Sequence, residues 1–544
     1  MNVEAILARY TRLSSENDAW NQHREDLARV HLPHRQGFVT EQTEGDQRLE
    51  GVYDGTPQQA ARGLGNAVGA MLRPDGEDWI KIRAEDDDVD SAEEAQEWFA
   101  DAEERQTAAL NNPKARYRQA TGEVDKDLVV FGEGVLYVGE SRSLSHLLFQ
   151  SCHLRDAVPF FSEEGNPEGL FRMRKFTLRQ AMERFGDALS DEARERHKKN
   201  PDEMIKVLHA VLPRAEGMAD AMLAKNLPVA DLWIEYDAKK LLRTGGFHEF
   251  PFVVPRWDTS SGETGGRSPG MIALPDANTL QAMGETILVA GQRAADPPLF
   301  APNDSSFDAA NTYPGGISYY DVETATAVRG NPFFPLESGT NLPITRDMQR
   351  DVREQVFAAF FRNVLNLPVN GPQMTAEEIR ARKEEFIREI GPVFGRLETD
   401  YTGPMVERSF SIMLRGGGFL PPPDVLVNKN IRFEYESPVK KIRQQIEAAA
   451  ARMWVKEQVE IATATGRADA LDIVNFDEYS RFTAEATGLP HNILNSKEAI
   501  AALRAQREEA MKAKQEMESM KMLAATAKDG ADAYSKVAPQ EAVA

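Results

Sequence analysis

Residues 296–344 hold seven prolines, six acidic residues and one basic residue, Arg329. No single helix or strand pair can run through such a segment, because each proline fixes φ and removes a backbone donor. Excursions of this length inside a folded chain are commonly functional. Both flanks have helical periodicity. On the C-terminal side, Thr345 is placed to cap a helix reaching about residue 366. Its stripe of Val352, Val356, Phe357, Phe360, Phe361, Val364 and Leu365 lies opposite Arg346, Arg350, Arg353 and Glu354. About twenty-two residues at 1.5 Å each make this helix roughly 33 Å long. On the N-terminal side, Asp276 is placed to cap a helix running to about Ala295. The chain must therefore accommodate two long helices joined by an irregular excursion.

The remaining sequence reads as α+β, mainly α. To about residue 120 it is helical, with apolar spacing over Asn2–Trp20 and a small-residue helix over Gln58–Leu72. Breaks fall at His31-Leu-Pro-His34 and Arg73-Pro-Asp-Gly76. From about 127 to 260 the pattern changes to short runs rich in Val, Ile and aromatics: Leu128–Gly139, His146–Leu154, Leu170–Phe176, Ile205–Leu212, Leu232–Tyr236 and Phe250–Trp257. Thr177–Phe185 interrupts them as a short helix. Further on, Thr375 and Glu378 form a capping box for a long helix. Gly391-Pro392 and Gly403-Pro404 predict a kinked rod or two abutting helices. Leu426–Tyr435 alternates as a strand, Ser437-Pro438 opens a helix to about Thr463, and 497–528 is a charged helix ending near Gly530.

Charge and composition exclude several classes. Sixty-four basic against eighty-six acidic residues give −22 over 544 residues, which argues against a protein that grips phosphate backbones. Half of that figure equals one segment, 84–104, with eleven carboxylates and no basic residue. A solvated helix face anchored by Trp98 and Phe99 explains it better than a cation cage, since no Asp-rich loop with a central Gly is present. The single cysteine, Cys152, permits no intrachain disulfide and points to a reducing compartment. No basic, then apolar, leader opens the sequence, and no apolar run is long enough to span a bilayer. The expectation is a soluble, intracellularly made protein of several layers.

No enzyme signature emerges, and no catalytic, cofactor or metal residue is assigned. A P-loop and a G-x-S-x-G elbow are both missing. Gly63-Leu-Gly65-Asn-Ala-Val-Gly69 has the wrong spacing for a dinucleotide loop, and close helix packing accounts for it. Cys152 reads as a buried inert thiol. His31 and His34 flank Pro33 and lack a third ligand, so a turn or solvent role is expected. His146 and His153 have no local carboxylate partner.

Two stretches decide the assignment. One is Ser268-Pro-Gly-Met-Ile-Ala-Leu-Pro-Asp-Ala-Asn-Thr-Leu280, followed by Asp296-Pro-Pro-Leu-Phe-Ala-Pro302. The other begins at Met374-Thr-Ala-Glu-Glu-Ile-Arg-Ala-Arg382 and continues through Glu385, Gly391-Pro392, Arg396-Leu-Glu398, Pro404 and Arg408 to the Gly-rich and Pro-rich run at 416–423. With Trp20…Arg24…Leu32-Pro33, Tyr53-Asp-Gly-Thr56, Leu72…Pro74…Trp79 and Phe131-Gly-Glu-Gly-Val-Leu-Tyr137, they resemble the head-to-tail connector (portal) proteins of short-tailed, podovirus-type bacteriophages. The resemblance covers roughly residues 1–440. One departure is Thr264-Gly-Gly-Arg-Ser-Pro, where the family commonly carries a Tyr-Gly pair.

The resemblance implies a ring, usually of twelve copies, at one capsid vertex of the virion, assembled from chains made in the host cytoplasm. Double-stranded DNA would pass through it. Implied partners are the terminase motor, major capsid and scaffolding proteins, tail adaptor proteins and internal core proteins; no membrane and no cofactor is implied. The implied parts are a wing (1–270, joined by 375–439), stem helices (271–295 and 345–366), a clip (296–344), a tunnel loop (367–374), crown helices (440–530) and a flexible tail (531–544).

Three sites follow as expectations. Arg346, Arg350 and Arg353 would line the channel or pair with carboxylates of a neighbouring copy. Val369, Asn370, Gly371 and Gln373 would form the tunnel loop, an ordinary helix connector being the alternative. Asp304, Asp308, Asp321 and Glu323 would give the clip an acidic docking surface for a basic partner. An acidic channel wall would let DNA slide, since phosphate neutralisation carries most non-specific affinity. A structural ring or shell protein without a channel, or a hydrolase with an unrecognised site, remains as the rival reading.

Overall fold

A computed structural model describes residues 2–41, 43, 45–74, 79–90, 92–214, 226–303, 311–321, 334–335, 342–362, 388–389, 391–427, 429–436, 438–466, 471–486 and 497–537. It is α+β and mainly α, with 57% of the chain helical. Two compact units divide it, Met1–Lys440 and Lys441–Ala544.

The first unit opens with α1 (Val3–Glu16), capped by Asn2, and α2 (Asp18–His31). The break expected at His31–His34 is a 3-10 turn, Pro33–Arg35. Then come α3 (Thr56–Leu72), β1 (Ile80–Ala84), one turn α4 (Asp87–Asp90), α5 (Glu93–Leu110) and α6 (Tyr117–Phe131). The second half of the acidic segment is a helix face, with Trp98 and Phe99 buried while Glu93, Glu94, Glu97 and Glu104 are exposed. The first half is instead a bend at Glu85–Asp86, where Asp86 pairs with Lys429, followed by the single turn α4. Among the described residues no group of His, Cys, Asp or Glu is arranged to hold a metal ion.

The small-residue stretch of α3 packs on α6. A Cβ on Gly65 would come within 3.0 Å of Lys126 Cγ, and one on Gly69 within 2.9 Å of Asp125 Oδ2. Here the strand expectation for Leu128–Gly139 is corrected. Leu128, Val129, Val130 and Phe131 form the last turn of α6, buried on every side, and Gly132 ends it in the left-handed conformation. A helix turn enclosed all round shows no amphipathic period, so its valines read as strand. Only Leu136–Glu140 (β2) is extended; it pairs with β3 (Leu147–Ser151) and β9 (Phe252–Val253).

A five-stranded antiparallel meander follows: β4 (Ala157–Phe161), β5 (Pro167–Thr177), β6 (Met204–Pro213), β7 (Val229–Glu235) and β8 (Lys240–Phe247). Alternation gives each strand two faces. Phe171, Leu208, Ala210, Leu232 and Ile234 meet Ile6, Leu7 and Tyr10 of α1. The opposite face is covered in part by α7 (Leu178–Phe185) and α8 (Asp191–Lys199) over Phe176, Ile205, Val207 and Trp233. The sequence pattern missed β4, β8 and α8.

The strands β10 (Asp258–Thr259) and β11 (Gly266–Arg267) lead into α9 (Pro269–Ala295). This helix begins seven residues before the expected Asp276. Ser268 caps it by accepting from Met271 N at 3.1 Å, and Pro269 occupies the first turn, where no donor is missed. Pro275 lies inside the helix, where burial of Ala273, Ala277 and Leu280 holds the turn that proline weakens.

Beyond α9, β12 (Leu299–Asn303) pairs parallel with β13 (Ile317–Asp321) and antiparallel with β14 (Phe334–Pro335). Helix α10 (Leu342–Ala359) begins three residues before Thr345 and spans about 27 Å at 1.5 Å per residue. It ends at Ala359 in a turn at Phe360–Phe361, and residues 363–366 of the expected helix lie outside the described residues. Phe361 adopts φ 56°, with its ring beside Trp257 at 6.3 Å.

A helical run over 391–397 passes through a π turn, Glu398–Thr402, into α11 (Gly403–Arg415). The expected interruption at Gly403-Pro404 is thus absorbed as a wider turn, with Gly403 N bonded to Glu398 O rather than to a carbonyl four residues back. Strand β15 (Ile431–Tyr435) closes the unit by pairing antiparallel with β1.

The second unit holds most of α12 (Pro438–Thr465), α13 (Phe476–Ala486) and α14 (Lys497–Val537). Arg504 of α14 grips Asp477 of α13 with bonds of 2.7 and 2.6 Å. Helix α14 runs past Gly530, the expected stop; one glycine costs only about 1 kcal/mol within a helix otherwise rich in Ala and Lys.

Candidate functional site at the root of the long helices

Helices α9 and α10 pack side by side and are rooted in the loop before α3. Asp54 lies two residues ahead of α3, and its Oδ1 accepts from Thr56 N at 2.8 Å, which satisfies a free donor of the first turn. Its Oδ2 accepts from Arg353 Nε and Nη2 at 2.9 and 2.7 Å and from Gln349 Nε2 at 3.4 Å. From α9, Gln281 Oε1 accepts from the N–H groups of Tyr53 and Asp54, and Gln281 Nε2 donates to Asp54 O. Four side chains, Asp54, Gln281, Gln349 and Arg353, thus close one polar clamp with the backbone of residues 53–56. Burial pushes the Asp54 carboxyl up, but hydrogen bonds from Thr56 and Arg353 outweigh it and hold the group below its ordinary range. Gly284 lets α9 approach this loop, because a Cβ there would lie 2.9 Å from Tyr53 Cβ.

Of the residues singled out in the sequence, Arg346 and Arg350 are exposed on α10, whereas Arg353 is committed to Asp54 of its own chain. Asp321 falls at the end of β13. Asp304, Asp308, Glu323, Val369, Asn370, Gly371 and Gln373 lie outside the described residues. Asp54 and Gln281 were not assigned roles from sequence. The one available signal was Asp-Gly-Thr-Pro ahead of a small-residue helix, which has the form of a cap.

His31 sits where α2, α3, α9 and α10 converge. Its ring is buried, 5.3 Å from that of Phe360, so the expected turn or solvent role does not hold for it. His34, by contrast, is exposed. Burial lowers the His31 pKa to about 4, against a smaller opposite pull from the backbone of Pro57 and Gly270. The folded state therefore resists protonation while the unfolded state accepts it near pH 6.5, so stability present above pH 6.5 is lost as pH falls towards 4. Between pH 7 and pH 5 this group should remove about 2 kcal/mol. Urea midpoints of His31→Leu should fall less over that interval than those of the native chain; parallel declines would refute the assignment.

A second expectation concerns the clamp. Asp54→Ala should cost about 1–2 kcal/mol through the lost cap. It should also speed amide exchange at residues 53–59, and Asp54→Asn should recover part of both. Unchanged exchange would mean that the clamp does not hold the helices.

Other motif residues of the sequence meet partners far along the chain. Arg24 forms a buried ion pair with Glu133, Arg267 lies over the Trp20 ring at 5.2 Å, and Ser268 Oγ donates to Val130 O at 2.7 Å. Arg408 pairs with Glu249. Cys152 is buried, and burial raises its thiol pKa, as expected of an inert cysteine.

The sequence profile of bacteriophage head to tail connecting proteins matches residues 3–494. The chain belongs to that family. This connector is 26% identical over 529 residues to the portal protein of Salmonella phage epsilon15, covering 94% of this chain and 92% of that one. It is 25% identical over 543 residues to the probable portal protein of Bordetella phage BPP-1, covering 98% and 94%. Among solved structures, a chain from the virion of a native gene transfer agent particle covers 82% of the connector and 95% of its own length at a TM-score of 0.35 and 10% identity. As a phage head-to-tail connector the chain is a structural component of the virion at the head–tail junction. No helix among the described residues is long and apolar enough to cross a membrane.

Proposed function

We propose that this connector is a portal subunit, several copies of which close into a ring around the path of double-stranded DNA at one capsid vertex. The observation that carries the reading is similarity to two phage portal proteins over nearly the whole chain. In this reading α9 and α10 are the stem, with Arg346 and Arg350 facing the channel and Arg353 fixing the stem to the wing. Residues 296–344 are the clip, where Asp304, Asp308, Asp321 and Glu323 meet the terminase and later a tail adaptor. Residues 367–374 form the tunnel loop, 1–270 with 375–439 the wing, and 440–530 the crown, which faces internal core proteins. Capsid and scaffolding proteins surround the wing.

A net charge of −22 per copy supports a conduit that does not hold its cargo. End-on electron micrographs and the mass of the purified chain test the ring. A hollow assembly of about a dozen copies is expected; a monomer, or a closed particle without a channel, would refute it. Duplex binding by the ring at moderate salt should be weak, and tight salt-labile binding would contradict an open conduit.

A further inference from the structure

We propose that the arginine face of the β4–β8 sheet in one copy docks on the acidic outer face of α5 in the next copy, and that this contact joins neighbours in the ring. The inference rests on the ring reading and names the surfaces that make it.

The strand register lines up Arg172, His209, Trp233 and Arg243 across β5, β6, β7 and β8 on one face of the sheet. His209 and Trp233 are buried, and the arginines at the two ends of the row reach the surface, Arg172 in part and Arg243 fully. At about 4.8 Å between strands the row spans roughly 14 Å. Arg174 lies two residues along β5 on the same face, with its guanidinium 4.8 Å from the Phe176 ring centre. From α7, Arg184 lies 4.2 Å above the Trp233 ring, which itself stacks on His209 at 4.1 Å. The aromatic rings hold Arg174 and Arg184 without neutralising them.

The carboxylates near this face already have hydrogen-bond partners other than the four arginines. Asp231 is bound to His209 at 2.8 Å, and Glu235 accepts from Ser190. Nearby Glu183 faces Arg142 at 3.7 Å. Among the described residues, none of Arg172, Arg174, Arg184 and Arg243 has a carboxylate within ion-pair distance. Burial first, then the neighbouring guanidinium groups of Arg172 and Arg184, lower the Arg174 pKa to about 10, while Asp231 acts on Arg184 and Arg243 without an ion pair to either. In a chain of −22, such a cluster is complementary to an anionic surface.

The chain itself carries one of matching size. Glu93, Glu97, Asp101 and Glu104 follow at spacings of four, four and three along α5, opposite the buried Ala95, Trp98, Phe99 and Ala102. They share one helix face about 17 Å long at 1.5 Å per residue. Arg105 answers only Asp101, at 2.6 Å, while Glu93, Glu97 and Glu104 remain exposed. Two different surfaces that complement each other, and do not meet within one copy, make a head-to-tail contact. A head-to-tail contact closes rings when its rotation closes.

Charge reversal with mixing tests the contact. One full-length variant carries Arg184→Glu and Arg243→Glu, and a second carries Glu93→Arg and Glu97→Arg. By sedimentation velocity each alone should assemble roughly ten- to a hundredfold less readily than the native chain, since like charges then face each other. An equimolar mixture should recover rings of alternating copies, because each reversed surface then meets its complement. Native-like assembly by either variant alone, or a mixture no better than its parts, would overturn the contact and leave the ring reading standing. A native chain that stays monomeric at every concentration would overturn both. If the arginine variant assembles normally but loses affinity for a labelled DNA duplex, the face serves nucleic acid and the contact is refuted.

Discussion

Replacing Glu133 by alanine should destabilise the first unit by about 3–5 kcal/mol, measured as a lowered urea midpoint at constant slope. Arg24 and Glu133 have side chains 3% and 4% exposed, so removing the carboxylate leaves a guanidinium in a site closed to water. Asn17 and Asn21 accept from Arg24 Nη1 at 3.3 and 3.0 Å, but neither brings a negative charge. The paired change Arg24→Met with Glu133→Leu should recover most of the loss, because apolar residues of similar volume remove the desolvation penalty together with the attraction. A double variant as unstable as Glu133→Ala would show that the charges hold α2 in place beyond their mutual neutralisation.

The second large effect is expected from Gly266→Ala, at about 3 kcal/mol or more, which is the upper range for overpacking. A Cβ on Gly266 would lie 1.9 Å from Gly132 O, and one on Gly132 would lie 2.3 Å from Gly266 O. Both obstacles are backbone, so no side chain can swing aside. The strands leading into α9 would have to lift away from the end of α6. Gly63→Ala serves as the control: nothing lies within 4 Å of a Cβ there, and the helix should gain slightly. Equal stability of the two variants would mean that the close approach of Gly132 and Gly266 is not required.

These glycines bear on what could be read from sequence. The departure Thr264-Gly-Gly-Arg-Ser-Pro left the entry to the first long helix unassigned, and the reason its residues are small is a contact with a turn more than a hundred residues earlier. Gly265 lies against Trp20 in the same way, its Cβ position 2.8 Å from Trp20 Cζ2. Periodicity placed α3 and the buried anchors of α5 because each has one wet and one dry face. It failed for Leu128–Phe131, which is dry all round. It also failed at the start of α9, where Asp276 offered a cap although the helix begins at Pro269 behind Ser268. Motif residues such as Arg24, Glu133 and Asp54 stood out in the sequence, but nothing local revealed that two of them pair or that the third receives Arg353. The arginine face was equally hidden, since its members come from four strands and a helix.

The wide turn at Glu398–Thr402 carries a consequence for how this helix tolerates change. It holds one residue more than regular α-helical winding would, and that residue turns Tyr401 inward until its ring lies 4.9 Å from the Arg73 guanidinium and its hydroxyl donates to Thr121 O at 3.3 Å. Deleting a single residue there would straighten the winding and make the helix locally more regular. The five residues of the wide turn sweep nearly the angle that four sweep in an α-helix, so the deletion would leave Phe410 beside Trp98 and Arg408 on Glu249, and what it would remove is the inward seat of Tyr401. The irregular turn therefore adds one buried aromatic, Tyr401, to the core while leaving the phase of α11 as regular winding would set it.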